Sequence, residues 1–277
     1  MNGKRALVTG SLGGIGSLVV ERLAKRGYRL VLVDLDATQL EQQASAYSGA
    51  EPVVLDHTDL DAVERFCSDM IADGPPFDLA FVNAGIIVIG DYTDLSWAQV
   101  DQQMRINLTS PARLLHALAI AMKARGSGHL IATVSQGGII AMKGSATYSA
   151  TKFGLRGLML SLQDELAPFG VHVSSLLPAG VDTPMLRHEA LQGGSALNFV
   201  GTPVAASIVA NAFEHVLDRP RGETYIPWSE SVSARLGGAF PWLVTRLTPV
   251  LERMGERGRR KFIRRTGIQS SEKGRAP

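Results

Sequence analysis

The stretch Thr9-Gly10-Ser11-Leu12-Gly13-Gly14-Ile15-Gly16 joins a strand-like run, Arg5 to Val8, to a run of helical period from Gly14 to Lys25. Glycines at 10, 13, 14 and 16 let the backbone turn sharply and admit a ligand close to the main chain. Where such a turn opens a helix, unpaired N–H groups and the helix dipole favour an anion, so the segment suits a pyrophosphate. A glycine-rich loop taken alone is as readily a plain turn; its strand-turn-helix setting tips the reading toward a phosphate cradle.

The same punctuation repeats along the chain. Strand-like Arg29 to Val33 precedes helical Thr38 to Ala46, and Pro52 to Leu55 precedes Leu60 to Ile71. Further strands are expected at Leu79 to Val82, Leu130 to Val134, Val171 to Leu177 and Thr224 to Ile226. Between them the pattern predicts helices across Trp97 to Ala124, around Tyr148 and after Pro203. Continuous apolar strand runs, with helices crossing between them, give a parallel sheet covered on both faces. The expected fold class is therefore α/β, a single doubly wound parallel sheet with a C-terminal helical appendage. The simplest division is a main domain over residues 1–228 and an extension over 229–277.

The chain has 277 residues, enough for one large core, and its net charge of +2 does not point to nucleic acid. Cys67, the single cysteine, cannot form an intrachain disulfide and falls on an amphipathic helix, where a buried thiol is expected. Met1 to Arg5 leads directly into Ala6-Leu7-Val8, which leaves no room for a signal peptide and makes the cytoplasm the default location. The best apolar run, Leu79 to Ile89, is short and holds Asn83, so no membrane span is expected. Six histidines, at 57, 116, 129, 172, 188 and 215, lack close ligand spacing, and no catalytic metal is expected.

Tyr148 and Lys152, four apart in Tyr148-Ser149-Ala150-Thr151-Lys152, share one face of a helix. A neighbouring cation favours the phenolate and draws a phenol of ordinary pKa about 10 toward neutrality, which would make a tuned acid/base. Two unrelated surface residues would give the same spacing. Ser135 at a strand end and Asn107 upstream change the balance, although singly each suits a cap or turn better than catalysis. Ser135 lies in Val134-Ser135-Gln136-Gly137, without the Gly-x-Ser-x-Gly elbow of a serine hydrolase.

Taken in order, the Gly10, Gly14, Gly16 spacing, Asn107, Ser135 and the Tyr148–Lys152 pair resemble the classical short-chain dehydrogenase/reductase family, from about Lys4 to about Ile226. The glycine spacing departs from Gly-x-Gly-x-x-Gly and matches the spacing this family uses. The resemblance implies a Rossmann-type fold and an NAD(P)-dependent oxidoreductase. Tyr148 would exchange a proton with the substrate oxygen, Ser135 would hydrogen-bond that oxygen, and Lys152 would bind the nicotinamide ribose and lower the Tyr148 pKa. Asn107 would hold a water linking Lys152 to solvent.

It implies cofactor contacts at Gly10, Leu12, Gly14, Ile15 and Gly16, and at Asn83, Ala84 and Gly85 beside the adenine ribose. Tyr148, Lys152, Val181 and Thr183 would meet the nicotinamide end. Asp34, eighteen residues after Gly16 at the second strand's end, can accept from both ribose hydroxyls and would repel a 2′-phosphate. NAD is thus expected over NADP, and Leu12 and Leu35 stand where NADP-using relatives often carry basic residues. Asp56 would bind the adenine amino group beside the His57 backbone; capping the next helix, a job Thr58 or Asp59 could also do, is the alternative.

Pro178-Ala179-Gly180 departs from the family's usual Pro-Gly. Met185 to Val200 falls in the substrate-covering position, with Gly193-Gly194 as a source of flexibility. Ile86, Ile87, Ile139, Met142, Met185 and Leu186 suggest an apolar alcohol or ketone, with core packing as the alternative for each. Homo-oligomerisation is implied as well. The competing reading is a dinucleotide-binding regulatory or scaffold protein of the same fold.

Beyond Ile226 the resemblance fades into an amphipathic tail, in which Thr248 and Pro249 are expected to start a second helical segment. Arg257, Arg259, Arg260, Lys261, Arg264 and Arg265 make its end basic. Packing over the cleft or on another subunit, peripheral contact with an anionic membrane, and nucleic acid compete for this tail, in that order.

Overall fold

The computed structural model describes residues 3–268. Seven parallel strands form the main sheet in the order β3-β2-β1-β4-β5-β6-β9. They are β1 (Arg5–Thr9), β2 (Arg29–Asp34), β3 (Glu51–Val54), β4 (Leu79–Val82), β5 (Gly128–Thr133), β6 (Val171–Pro178) and β9 (Glu223–Ile226). A separate pair, β7 (Val181–Asp182) with β8 (Val204–Ala205), sits beyond the end of β6. The order reverses between β1 and β4, and that reversal opens a crevice at the strands' carboxyl ends.

Helices cover both faces, as the uninterrupted apolar strands require. On one face α1 (Gly16–Lys25), α2 (Ala37–Ser45) and α8 (Ala206–Asp218) pack around Val19, Leu23, Leu40, Phe81 and Phe213. On the other lie α3 (Leu60–Phe66), α4 (Trp97–Met104), α5 (Ser110–Arg125) and α6 (Ala146–Leu166), with a core that includes Leu7, Leu114, Leu118 and Met159. Cys67 is buried in that second core, and burial pushes its thiol up to about 11.

Two expected helical stretches contain π-helical segments. Trp97 to Ala124 is split into α4 and α5 by a π-helical segment, Arg105–Thr109, and Leu60 to Ile71 becomes α3 followed by a π segment, Cys67–Ala72. Such π turns accommodate an extra residue within a helix. In the first, both ends of the Asn107 side chain are engaged by Ile86: Ile86 N–H donates to Oδ1 at 2.8 Å and Nδ2 donates to the Ile86 carbonyl at 2.8 Å.

The region after Thr183 is more helical than expected. α7 (Pro184–Gln192) carries Thr183 as its N-cap, and a 3-10 turn spans Ala196–Phe199. Gly193, at φ +90°, caps α7 with its N–H bonded to the Glu189 carbonyl, so the glycine pair ends a helix rather than loosening a loop.

The tail folds as α9 (Trp228–Ala239) and α10 (Pro241–Thr266). Contrary to expectation, Pro249 does not begin a new segment and Thr248 is not its cap: α10 runs through both, and Thr248 Oγ1 donates back to the Val244 carbonyl at 2.9 Å. Pro249 removes one ladder donor from an exposed stretch of the helix, a loss that water can make good. The final nine positions of the expected extension lie outside the described residues. Among those described, no helix is long and apolar enough to cross a membrane.

Candidate active site

The glycine turn is closed to side chains. Gly10 holds φ +64°, a backbone state that disfavours any residue with a Cβ, and a Cβ there would also meet the Ala84 backbone at 2.9 Å. A Cβ on Gly16 would run into the Gly10 carbonyl, and one on Gly14 would meet Thr183 Cγ2 at 3.1 Å. Helix α1 begins at Gly16, with Leu12 and Ile15 in the turn before it. Thr183 at the head of α7, two residues after Val181 on β7, thereby faces the turn across the crevice. A cradle emptied of side chains at a helix start, beside a carboxylate, fits the diphosphate and ribose of a dinucleotide.

That carboxylate is Asp34. Its Oδ2 accepts from Leu12 N–H at 2.9 Å and its Oδ1 from Leu35 N–H at 2.8 Å, so backbone donors fix it against the turn. Asp56 lies exposed beyond β3, where its Oδ1 accepts from the N–H and hydroxyl of Thr58. The helix-capping alternative does not hold for Asp56, because Asp59 caps α3 by accepting from Asp61 and Ala62 N–H groups. His57 is buried with Nδ1 2.6 Å from Ser110 Oγ, and burial pulls its pKa down to about 4, leaving the ring neutral.

Asn83 braces the crevice. Its Nδ2 donates to the carbonyls of Thr9 and Gly10, and its Oδ1 accepts from Thr133 Oγ1 at 2.9 Å. The backbone N–H groups of Asn83 and Ala84 both donate to Thr9 Oγ1, at 3.0 and 3.1 Å. Thr9 was not singled out from sequence; its position as the last residue of the first strand, before the glycine turn, is the only signal that could have found it.

The catalytic candidates meet at the ends of β5 and α6. Ser135 Oγ accepts from Gly137 N–H at 2.9 Å and lies near the Tyr148 phenol, whose pKa it lowers. A Cβ on Gly137 would meet Tyr148 Cε1 at 3.2 Å and Ser135 Oγ at 3.3 Å, so the glycine lets serine and phenol approach. One turn along α6, Lys152 Nζ lies 5.7 Å from the Tyr148 ring centroid and donates to the Thr133 carbonyl at 3.0 Å. Gly85 covers the same ammonium: a Cβ there would lie 3.7 Å from Lys152 Nζ and 3.3 Å from Asn107 Oδ1.

Burial sets the titration of both partners. It pushes the Tyr148 phenol up to about 12 against the opposing effect of Ser135, and it pulls the Lys152 ammonium down to about 8. The lowering of Tyr148 expected from Lys152 is therefore not expressed by the protein's own groups: desolvation outweighs it. The phenol stands protonated, ready to donate.

Glu189, on α7, escaped the sequence reading because an acid in a helix looks solvated. It is 4% exposed, Asn198 Nδ2 donates to its Oε2 at 2.9 Å, and burial pushes its pKa up to about 7. Its charge acts on the Tyr148 phenol, raising the pKa of that group further. Of the proposed apolar neighbours, Ile139 belongs to the sheet core and Leu186 to a cluster with Phe199 and Phe262, so packing accounts for both. Met142 stays beside the site, against Gly137.

The tail roofs this region. Phe262 of α10 packs on Phe199 with ring centroids 5.6 Å apart. Gly255 and Gly258 let α10 ride directly on the carbonyls of Ala196 and Phe199, where any side chain would collide. Lys143, in the loop between Ser135 and α6, pairs with Glu252 at 3.2 Å, and Gly238 of α9 lies against the Ile139 carbonyl.

A parallel sheet with a side-chain-free cradle at its switch point, and a phenol beside a serine and one helical turn from a lysine, defines a dinucleotide-dependent oxidoreductase. Residues 4–192 match the short chain dehydrogenase family, and the chain belongs to that family. An uncharacterized oxidoreductase of Myxococcus xanthus is 30% identical over 252 residues, covering 87% of this chain and 94% of the relative. Among solved structures, the bulky-bulky ketone specific alcohol dehydrogenase from Comamonas testosteroni is 26% identical with a TM-score of 0.73, covering 86% of this chain and 94% of that one. A short-chain dehydrogenase from Sphingobium yanoikuyae in complex with NADPH shares the fold, with 24% identity, a TM-score of 0.76 and coverage of 87% and 95%.

Proposed function

We propose that this short-chain dehydrogenase is an NAD-preferring enzyme that interconverts a secondary alcohol and a ketone on an apolar small molecule. The observation that carries the reading is the Ser135–Tyr148–Lys152 arrangement, in which a hydroxyl lies near a buried, protonated phenol and an ammonium lies 5.7 Å from its ring centroid. Tyr148 passes its proton to the carbonyl oxygen in reduction and recovers it in oxidation. Ser135 steadies the charge that develops on that oxygen, and Lys152 anchors the cofactor ribose. Asn107 holds the Gly85–Ile86 backbone against Lys152 and completes the proton path to solvent.

The bound nicotinamide would supply the hydride chemistry. Gly10, Leu12, Gly14, Ile15 and Gly16 would hold its diphosphate side, Asp56, His57, Asn83, Ala84 and Gly85 the adenosine side, and Val181 and Thr183 the carboxamide. The preference for NAD rests on Asp34, whose carboxylate is held at the turn by Leu12 and would oppose a 2′-phosphate. The apolar substrate rests on Ile87 and Met142, both buried near the phenol's end of the sheet. The main domain is taken as residues 1–228 and the extension as 229–277, acting in the cytoplasm as a homo-oligomer. Exposed Ile120 on α5 and Phe153 and Leu160 on α6 offer an apolar face for that assembly.

Titration with NADH and NADPH, followed by nicotinamide fluorescence, tests the cofactor assignment. NADH should bind the tighter; a preference for NADPH removes Asp34 as selector, and binding of neither favours a non-enzymatic role.

A further inference from the structure

Helices α9 and α10 bury only one side. On α9, Trp228, Val232 and Leu236 stand four residues apart and exposed; Phe240 and Trp242 form the corner between the helices. On α10, Leu243, Leu247, Val250 and Met254 continue the surface, and these nine side chains are 36–65% exposed. Scattered apolar residues need no explanation, but a contiguous face of aromatic and aliphatic side chains marks a contact.

The line on α10 does not end at Met254. Steps of four and three from Leu243 pass through Leu247, Val250 and Met254 and continue to Arg257, Lys261 and Arg264, all exposed and all on one side of the helix. Among the described residues these three cations have no ion-pair partner, whereas the two acids of α10, Glu252 and Glu256, are paired with Lys143 and Arg259. The adjoining face, with Gly255, Gly258 and Phe262, is taken up by the roof contact. The apolar line is therefore free, and it is not the stripe that holds the tail to the body.

We propose that this face docks on an anionic lipid bilayer, with the α9–α10 corner entering the headgroup and acyl boundary and Arg257, Lys261 and Arg264 lying on anionic headgroups. The occupant must be apolar at one end of a single line and anionic at the other, which an acidic bilayer supplies side by side. A second copy of the chain repeats the same line and brings no anionic stretch to meet the three cations. Trp228 and Trp242, with the Arg246 guanidinium 5.4 Å from the Trp242 ring, place amphipathic rings where the corner would meet the interface. The docked face is the outer side of the helices that roof the substrate site. The contact does not depend on the reaction proposed above.

The test is cosedimentation of the full-length protein with vesicles of phosphatidylcholine alone or mixed with phosphatidylglycerol, together with tryptophan emission. Binding should require phosphatidylglycerol, weaken as salt rises, and shift the emission to the blue. Each cation near an anionic surface is worth about fivefold in partitioning, the equivalent of about 1 kcal/mol. The variant Arg257→Glu/Lys261→Glu/Arg264→Glu should therefore bind at least tenfold more weakly, and Leu247→Asp/Val250→Asp should lose the blue shift, both with unchanged NADH affinity and melting. Equal binding to both vesicle types, or to neither, overturns the proposal. So does a dimer in light scattering that Leu247→Asp/Val250→Asp dissociates without any vesicle binding.

Discussion

The two walls of the active site are built by different means. The cofactor wall, from Gly10 to Asn83, is fixed by hydrogen bonds from backbone N–H groups to side-chain oxygens: Leu12 to Asp34, and Asn83 and Ala84 to Thr9. The roof, from α7 to α10, is held by apolar packing and close backbone approach between distant segments, Phe199 on Phe262 and Gly258 on the Phe199 carbonyl. The first wall has little freedom to vary without losing its ligand. The second can change its side chains and keep its shape, which suits a surface that selects substrates.

Changes on the two walls should therefore separate cofactor binding from substrate handling. The largest effect is expected where they meet: Tyr148→Phe should cut turnover by about 10²- to 10⁴-fold while NADH binds as before, measured by steady-state kinetics and fluorescence titration. Full turnover would remove Tyr148 as the proton donor.

Next, Phe262→Ala should empty the joint between α10 and the Ala196–Phe199 turn. Buried Phe→Ala changes cost about 3–5 kcal/mol, so the urea midpoint should fall and the KM for substrate should rise, with NADH affinity kept. A parallel loss of NADH binding would show that the walls are one unit.

Glu189 gives a smaller, pH-dependent effect. Its folded-state pKa lies near 7, above the ordinary carboxyl value of 4.5, so the unfolded chain ionises first as pH rises. The folded state then holds the extra proton, and stability should fall between about pH 4.5 and 7. Glu189→Gln should remove that slope and gain on the order of 1–3 kcal/mol relative to the parent at pH 8, read from denaturation midpoints across pH. An unchanged slope would mean that Glu189 does not titrate there. Smallest of all, Asp34→Asn keeps an acceptor for Leu12 N–H and removes the charge. The NADH-to-NADPH affinity ratio should fall by about fivefold to tenfold, the scale of one ordinary hydrogen bond.

The contrast also explains what the sequence could reveal. The sheet, the glycine turn, Ser135 and the Tyr148–Lys152 spacing are local patterns, and period and spacing carry them directly. Glu189 was illegible because its burial depends on Asn198 and on a roof from a different part of the chain. The continuity of α10 through Pro249 was hidden for a related reason: the local signal for a break is sound, but a helix resting on Ala196 and Phe199 tolerates one missing donor. The π segments left no trace either, and what distinguishes the one at Arg105–Thr109 is a tertiary contact, that of Asn107 with the Ile86 backbone.

The π segment at Arg105–Thr109 carries a genetic consequence. A π turn holds one residue more than an α turn, so α4 and α5 are out of phase by about 100° relative to an unbroken helix. In-frame loss of a single codon there would leave a longer regular helix, more favourable by local propensity. It would also swing all of α4 around its axis and carry Asn107 off Ile86. Here the deletion of one residue should do more damage than most replacements of it, and the length of the segment is as much a part of the site as its residues.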